Sequence, residues 1–193
     1  MESIDETERN TKSKSFNKNT GIYFKIKYDF FNHKYFLKDM GDGYGTFIKI
    51  NNTTIKENTI INIGDSFLIF SFKIYLNYEN NKKIKDQKIV VVKIYNEEGE
   101  FHPIILGKEK ELYTIGRAKN ADIVINDSML SRINCFLCYN EGIWKIQDGN
   151  QNGEYSTNGT WMYALEDIEI LDYMIFKSNK YNFRCKYPNK IFE

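Results

Sequence analysis

Tyr113-Thr114-Ile115-Gly116-Arg117 opens the stretch on which the fold turns. It continues through Asp122-Ile123-Val124-Ile125 to Ser131-Arg132-Ile133-Asn134-Cys135, and it closes on Ser156-Thr157-Asn158-Gly159-Thr160-Trp161. Short polar loops carrying Arg, Ser, Thr and Asn alternate here with apolar, β-branched runs. Such runs read as strands, and the alternation at Trp144-Lys145-Ile146-Gln147 gives them one inward and one outward face. The loop residues share a chemistry. Arg presents a planar fork of N–H donors that suits a phosphate dianion. Ser and Thr add hydroxyls, and Asn adds an amide able to grip a peptide main chain. These groups can hold a phosphorylated peptide, and none is suited to cutting one.

Working outward, further strand-like runs lie at Ile89–Tyr95, Phe101–Leu106, Leu112–Ile115, Cys135–Tyr139, Trp144–Gln147 and Thr160–Tyr163. Others follow at Ile168–Leu171, Met174–Lys177 and Tyr181–Tyr187. Pro103 suits an edge strand, since it cannot donate to a ladder. Many short strands with regular turns and almost no helical period predict an antiparallel sandwich.

The order Ile-Gly-Arg, then Asp-Ile-Val-Ile, then Ser-Arg, then Ser-x-Asn-Gly-Thr resembles the forkhead-associated (FHA) domain. The resemblance covers residues 88–187. It implies an all-β fold, an antiparallel β-sandwich of the FHA/SMAD type, that reads phosphothreonine and has no enzymatic activity or cofactor. Carried over residue by residue, Arg117 and Ser131 would contact phosphate. Arg132 would supply a second charge or a peptide contact, Thr157 a side contact and Asn158 a bond to the ligand main chain. Gly116, Asn134 and Gly159 would shape the loops. Two departures stand out. The family's loop-bracing His is Asn134 here, and the loop from Gly149 to Tyr155 is longer than usual.

Upstream, residues 22–76 also read as short strands, and they resemble the later part of the same module. Asp39 and Gly45-Thr46-Phe47 parallel Asp148 and Gly159-Thr160-Trp161. Ile61-Asn62-Ile63-Gly64-Asp65-Ser66-Phe67 parallels Glu169 to Met174. This copy has no Gly-Arg and no Ser-Arg, and Tyr44 stands where the other has Asn158. It is expected to be a degenerate partial repeat without a binding site. Its missing early strands would expose sheet edges, to be paired by the second domain or by another chain. The expected organisation is a disordered tail over 1–20, the partial repeat over 21–78, a linker over 79–87, the FHA domain over 88–187 and a short tail over 188–193. Thr7, Thr11 and Thr20 in the first tail are possible phosphoacceptors or merely solvated.

Bulk properties narrow the class. The 193 residues carry 27 basic and 26 acidic side chains for a net charge of +1. That balance points to neither nucleic acid nor an anionic membrane as partner. No apolar run reaches the length of a membrane span, and Met1 to Lys18 lacks the apolar core of a secretory signal. Cys135 and Cys138 form C-x-x-C, but odd spacing in a strand puts them on opposite faces, so free thiols and an intracellular compartment (cytoplasm or nucleus) are expected. Asp148-Gly149-Asn150-Gln151-Asn152-Gly153 opens like a calcium loop, yet its twelfth position is Gly159 rather than a bidentate Glu, so no metal is expected. Asn158-Gly159-Thr160 is a glycosylation sequon by letter only. His33 and His102 read as surface residues. The expected partner is a phosphothreonine-containing protein. The alternative is a phosphate-independent scaffolding sandwich that binds through its sheets or edges.

Overall fold

A computed structural model of the chain describes residues 21–79, 82–96, 99–100, 103–107 and 110–187. The expected tails, with Thr7, Thr11 and Thr20, lie outside the described residues, as does His102. Among the described residues there is no helix. The strands form a nine-stranded, a five-stranded and a three-stranded sheet, antiparallel but for one parallel pair. Their inward side chains join in one core, which includes Leu37, Ile48, Leu68, Val92, Ile115, Leu137, Trp144 and Phe176. The architecture is the all-β sandwich that the alternating pattern predicts.

In the first half, β1 (Phe24–Asp29) and β2 (Lys34–Asp39) form a hairpin, followed by β3 (Thr46–Ile50), β4 (Asn52–Thr54), β5 (Ile60–Ile63) and β6 (Ser66–Glu79). The second half comprises β7 (Lys82–Asn96), β8 (Gly99–Glu100), β9 (Ile104–Leu106), β10 (Leu112–Gly116), β11 (Ile123–Val124), β12 (Cys135–Asn140), β13 (Ile143–Asp148), β14 (Thr160–Tyr163), β15 (Ile168–Glu169), β16 (Ile175–Ser178) and β17 (Tyr181–Arg184). Pro103 immediately precedes β9, which pairs with β7 alone.

Of the linker expected over 79–87, residues 79 and 82–87 lie in strands β6 and β7. β6 and β7 pair antiparallel over their whole lengths, from Phe67 opposite Tyr95 to Glu79 opposite Lys82, with a bulge between Asn77 and Tyr78. The polar Asn and Lys composition there concealed a β-ladder, because main-chain pairing needs no apolar side chains.

The halves are also interleaved. β3 and β14, which both open with a Thr preceded by Gly, lie side by side with Ile48 opposite Met162. The strands that follow β3 complete the second half: β4 pairs with β13, and β5 pairs with β14. The strands that follow β14 complete the first half: β15 pairs with β2, and β16 pairs with β3. Each half therefore gives its later strands to the other. The edges of residues 21–78, expected to pair with the second domain or with another chain, pair with strands of the second half, and β13 and β14 take partners from residues 21–78 in turn.

Candidate functional site

β10 delivers Gly116-Arg117 to one rim of the sandwich. It pairs with β12 on one side and runs parallel to β11 on the other. Asp122 ties down the loop between β10 and β11. Its Oδ2 accepts the Thr114 amide N–H and hydroxyl, each at 2.8 Å, and Lys110 bonds its other oxygen. Burial by itself would raise this carboxyl, but the Lys110 ammonium and the Thr114 donors together hold it below the usual range. Ile123 and Ile125 point inward and are buried.

Gly116 is required by close approach. A Cβ there would sit 2.2 Å from the Arg132 carbonyl oxygen. That contact, with the Ala118 N–H donating to the same oxygen at 3.0 Å, draws the Arg117 loop against the Ser131-Arg132 loop.

The expected ligand side chains are already constrained. Arg117 is exposed, and its Nε donates to the Leu130 carbonyl at 2.7 Å, which fixes the guanidinium plane before any ligand arrives. Ser131 Oγ accepts the Thr157 N–H at 2.9 Å and donates to Thr157 Oγ1 at 3.2 Å. Asn158 donates through Nδ2 to the Met129 carbonyl at 2.7 Å. Its own carbonyl accepts the Trp161 indole N–H at 2.8 Å.

Asn134 is fully buried. Its Oδ1 accepts the Ser131 N–H at 3.3 Å, and its Nδ2 donates to Thr160 Oγ1 at 3.4 Å. Its main chain bonds Ile115 and Gly149. Asn134 thus links all three loop motifs from beneath. Asp148 works on the same side: Ser156 Oγ and Thr160 Oγ1 both donate to its Oδ1 at 2.6 Å. The residue that opens the calcium-like sequence is turned inward to hold this loop. Among the described residues no cluster of His, Cys, Asp or Glu could hold a metal ion.

Arg117, Ser131, Arg132, Thr157 and Asn158 line one open cleft of about 430 Å³. Asn150, Glu154 and Tyr155, from the long loop after β13, form its other wall. That loop is self-braced, with the Asn150 side chain bonding the Asn152 and Glu154 N–H groups and the Glu154 carboxylate. The remaining candidates are elsewhere. Cys135 is buried and its thiol is pushed far up by desolvation, while Cys138 is half-buried on the opposite face of β12. His33 is exposed and meets the Tyr28 hydroxyl at 2.9 Å.

Sequence reasoning missed the turn over 127–130, whose carbonyls orient Arg117 and Asn158. Asp127-Ser128-Met129-Leu130 has the composition of any surface turn. Its role lies in main-chain atoms, which every residue type shares.

The FHA domain family model matches residues 113–172, about a third of the chain. The matched segment runs from β10 past β15 and contains every residue of the cleft named above. No curated protein and no solved structure matches the chain. FHA domains are generally phosphopeptide-binding modules and generally not enzymes. The family match does not reach residues 21–78. No helix among the described residues is long and apolar enough to cross a membrane.

Proposed function

We propose that this chain binds phosphothreonine-containing proteins through the cleft at Arg117, Ser131 and Asn158, without catalysis. The observation that carries this reading is the meeting of those three side chains on one rim, each held by a protein hydrogen bond. A phosphothreonine carries roughly −1.5 to −2 charge at pH 7. Arg117 supplies charge-assisted donors to it, and Arg132 adds a second positive side chain at the same cleft. Ser131 turns its hydroxyl from Thr157 to a phosphate oxygen. Asn158 keeps one N–H on Met129 and offers the rest of its amide to the ligand main chain. Preorganisation of this kind lowers the ordering cost of binding. Residues 21–78 act as a partial copy of the module that contributes strands and no phosphate ligands.

Calorimetric titration with phosphothreonine, phosphoserine and unphosphorylated forms of one peptide library tests this. Micromolar affinity, about −8 kcal/mol, is expected for the best phosphothreonine peptide. Arg117→Ala and Ser131→Ala should each abolish it without lowering the melting temperature by more than a few degrees. Equal affinity for phosphorylated and unphosphorylated peptides would refute the assignment.

A second reading, phosphate-independent docking, draws on exposed aromatics away from the cleft: Phe30, Phe31 and Tyr44 are 78%, 96% and 87% exposed. Phosphatase treatment of a captured partner separates the two readings. Loss of binding supports the first, and retention the second.

A further inference from the structure

Arg117 and Asn158 are both oriented by main-chain carbonyls of the turn over 127–130, through Leu130 and Met129 respectively. One side chain organises that turn. Asp127 Oδ1 accepts the Met129 N–H at 2.8 Å, and the Asp127 carbonyl accepts the Leu130 N–H at 3.1 Å. The second carboxylate oxygen reaches out of the turn. Oδ2 accepts the main-chain N–H of Asp65 at 2.9 Å.

Asp65 belongs to the Gly64-Asp65 turn between β5 and β6, in the half of the chain that has no phosphate ligands of its own. The turn is seated closely. A Cβ on Gly64 would lie 2.2 Å from Asp127 Oδ2 and 3.2 Å from Leu130 Cδ2, and Gly64 has φ of +53°. A carboxylate can approach this near only because the residue is glycine. The turn is itself fixed, because Asn62 Nδ2 donates to the Gly64 and Ser66 carbonyls, each at 3.1 Å.

We propose that the Gly64-Asp65 turn is a positioning element of the phosphopeptide cleft, acting through Asp127 on the donors of Arg117 and Asn158. This rests on the function proposed above. The first half then has a definite role: it supplies no ligand to phosphate, and it sets the geometry of the residues that do. If the turn moves, Asp127 follows. The Met129 and Leu130 carbonyls shift with it, and the two side chains lose the bonds that aim them.

The test uses the full chain and three variants. Gly64→Ala drives a methyl into Asp127. Asp127→Ala removes both side-chain acceptors. Asp65→Ala deletes a side chain but keeps the N–H that makes the contact, and serves as the control. Two readouts are taken: phosphothreonine-peptide affinity, and the nitrogen-15 NMR resonances of the Arg117 Nε–H and the Asn158 side-chain amide.

Gly64→Ala and Asp127→Ala are expected to weaken affinity about tenfold, the cost of mis-setting one charge-assisted donor. They should also move both resonances while the amides of the β10 and β12 ladder stay in place. Asp65→Ala should change neither readout. Unchanged resonances in folded Gly64→Ala or Asp127→Ala would overturn the inference. So would a shift of equal size in Asp65→Ala. If Gly64→Ala does not fold, Asp127→Asn carries the same test, since its NH₂ must face one of the two N–H donors. If the parent chain shows no phospho-dependent binding, the proposed function fails. The resonance shifts still decide whether the turn positions these side chains.

Discussion

Replacing Leu68 by Ala tests whether the two halves share one core. Leu68 lies in β6, in the half that adds no side chain to the cleft, and is fully buried. It sits opposite Ile61 on β5 and Ile94 on β7. It belongs to the same cluster as Ile115, Leu137 and Trp144 of the second half. Truncating a buried Leu removes its transfer free energy and leaves a cavity, for a cost of about 2–5 kcal/mol. The ladder on both sides of Leu68 limits collapse, so a value near 3 kcal/mol is reasonable for a central strand. With a urea slope of about 2 kcal/mol/M, the midpoint should fall by roughly 1.5 M. In thermal terms the loss is roughly 6–12 °C for a domain of this size. The reporter is Trp144 fluorescence, in a Trp161→Phe background so that only the buried indole contributes. Trp144 is 76 positions from the substitution and in the other half of the sequence. One cooperative transition, shifted by that amount, is expected. If Trp144 unfolded at the unaltered midpoint while circular dichroism of the strands showed an earlier loss, the halves would be separate folding units and the shared core would be refuted.

Expression of residues 88–193 alone is expected to give a chain without cooperative unfolding, because β13 and β14 then lose the partners β4 and β5 supply; a sharp calorimetric transition would contradict this. Asn134→Ala should cost about 1–3 kcal/mol by stranding buried partners, and should weaken phosphopeptide binding as well, read by urea melts and titration; loss of neither would remove Asn134 from the loop's support. Lys177 predicts a pH effect. Burial pulls its ammonium down to about 8, against the attraction of Asp65, although Asn62 Oδ1 at 2.7 Å and the Trp161 ring also face it. Between that value and about 10.4 the unfolded chain holds more proton than the folded one, so this residue makes stability rise with pH across that window, and its full penalty stands below pH 8. Parent minus Lys177→Met stability, from urea midpoints at pH 7 and 9.5, should therefore increase; a constant difference would exclude the effect.

Much of the fold was legible in the sequence. Trp144-Lys145-Ile146-Gln147 alternates cleanly, and Trp144 and Ile146 are indeed buried. The strand positions from β10 to β17 follow their apolar runs to within a few residues. The cleft was legible because its chemistry sits in side chains at fixed intervals: Arg117, Ser131 and Asn158 each appear as a polar residue in a turn between apolar runs. What escaped was pairing. Nothing in Asn52-Thr53-Thr54 says that it lies beside Lys145, Ile146 and Gln147 rather than beside a strand of its own half. Ladder bonds are made by main-chain groups and carry no residue code. The likeness of the Gly45-Thr46 and Gly159-Thr160 strands makes either arrangement acceptable to the side chains. For the same reason the extended ladder of β6 and β7 hid behind a polar composition that reads as a linker.

Interleaving also changes what ligand binding can do. Suppose the Gly64-Asp65 turn improves phosphopeptide affinity by some factor through Asp127. Thermodynamic linkage then requires the bound peptide to favour the seated turn by the same factor. The turn closes the β5–β6 hairpin, and that hairpin connects β14 to β7 across the nine-stranded sheet. On that supposition, occupancy of the cleft would be felt in the half of the chain that adds no side chain to it, and at a hundredfold excess over the dissociation constant the shared fold would gain about 2.7 kcal/mol. Independent domains joined by a linker would confine that gain to residues 88–187. Here the same ligand should raise the protection of β5 and β6 amides against hydrogen exchange together with those of β10 and β12. Protection that rose only in β10 and β12 would mean that the hairpin opens without disturbing the cleft, and the coupling through Asp127 would have no energetic content.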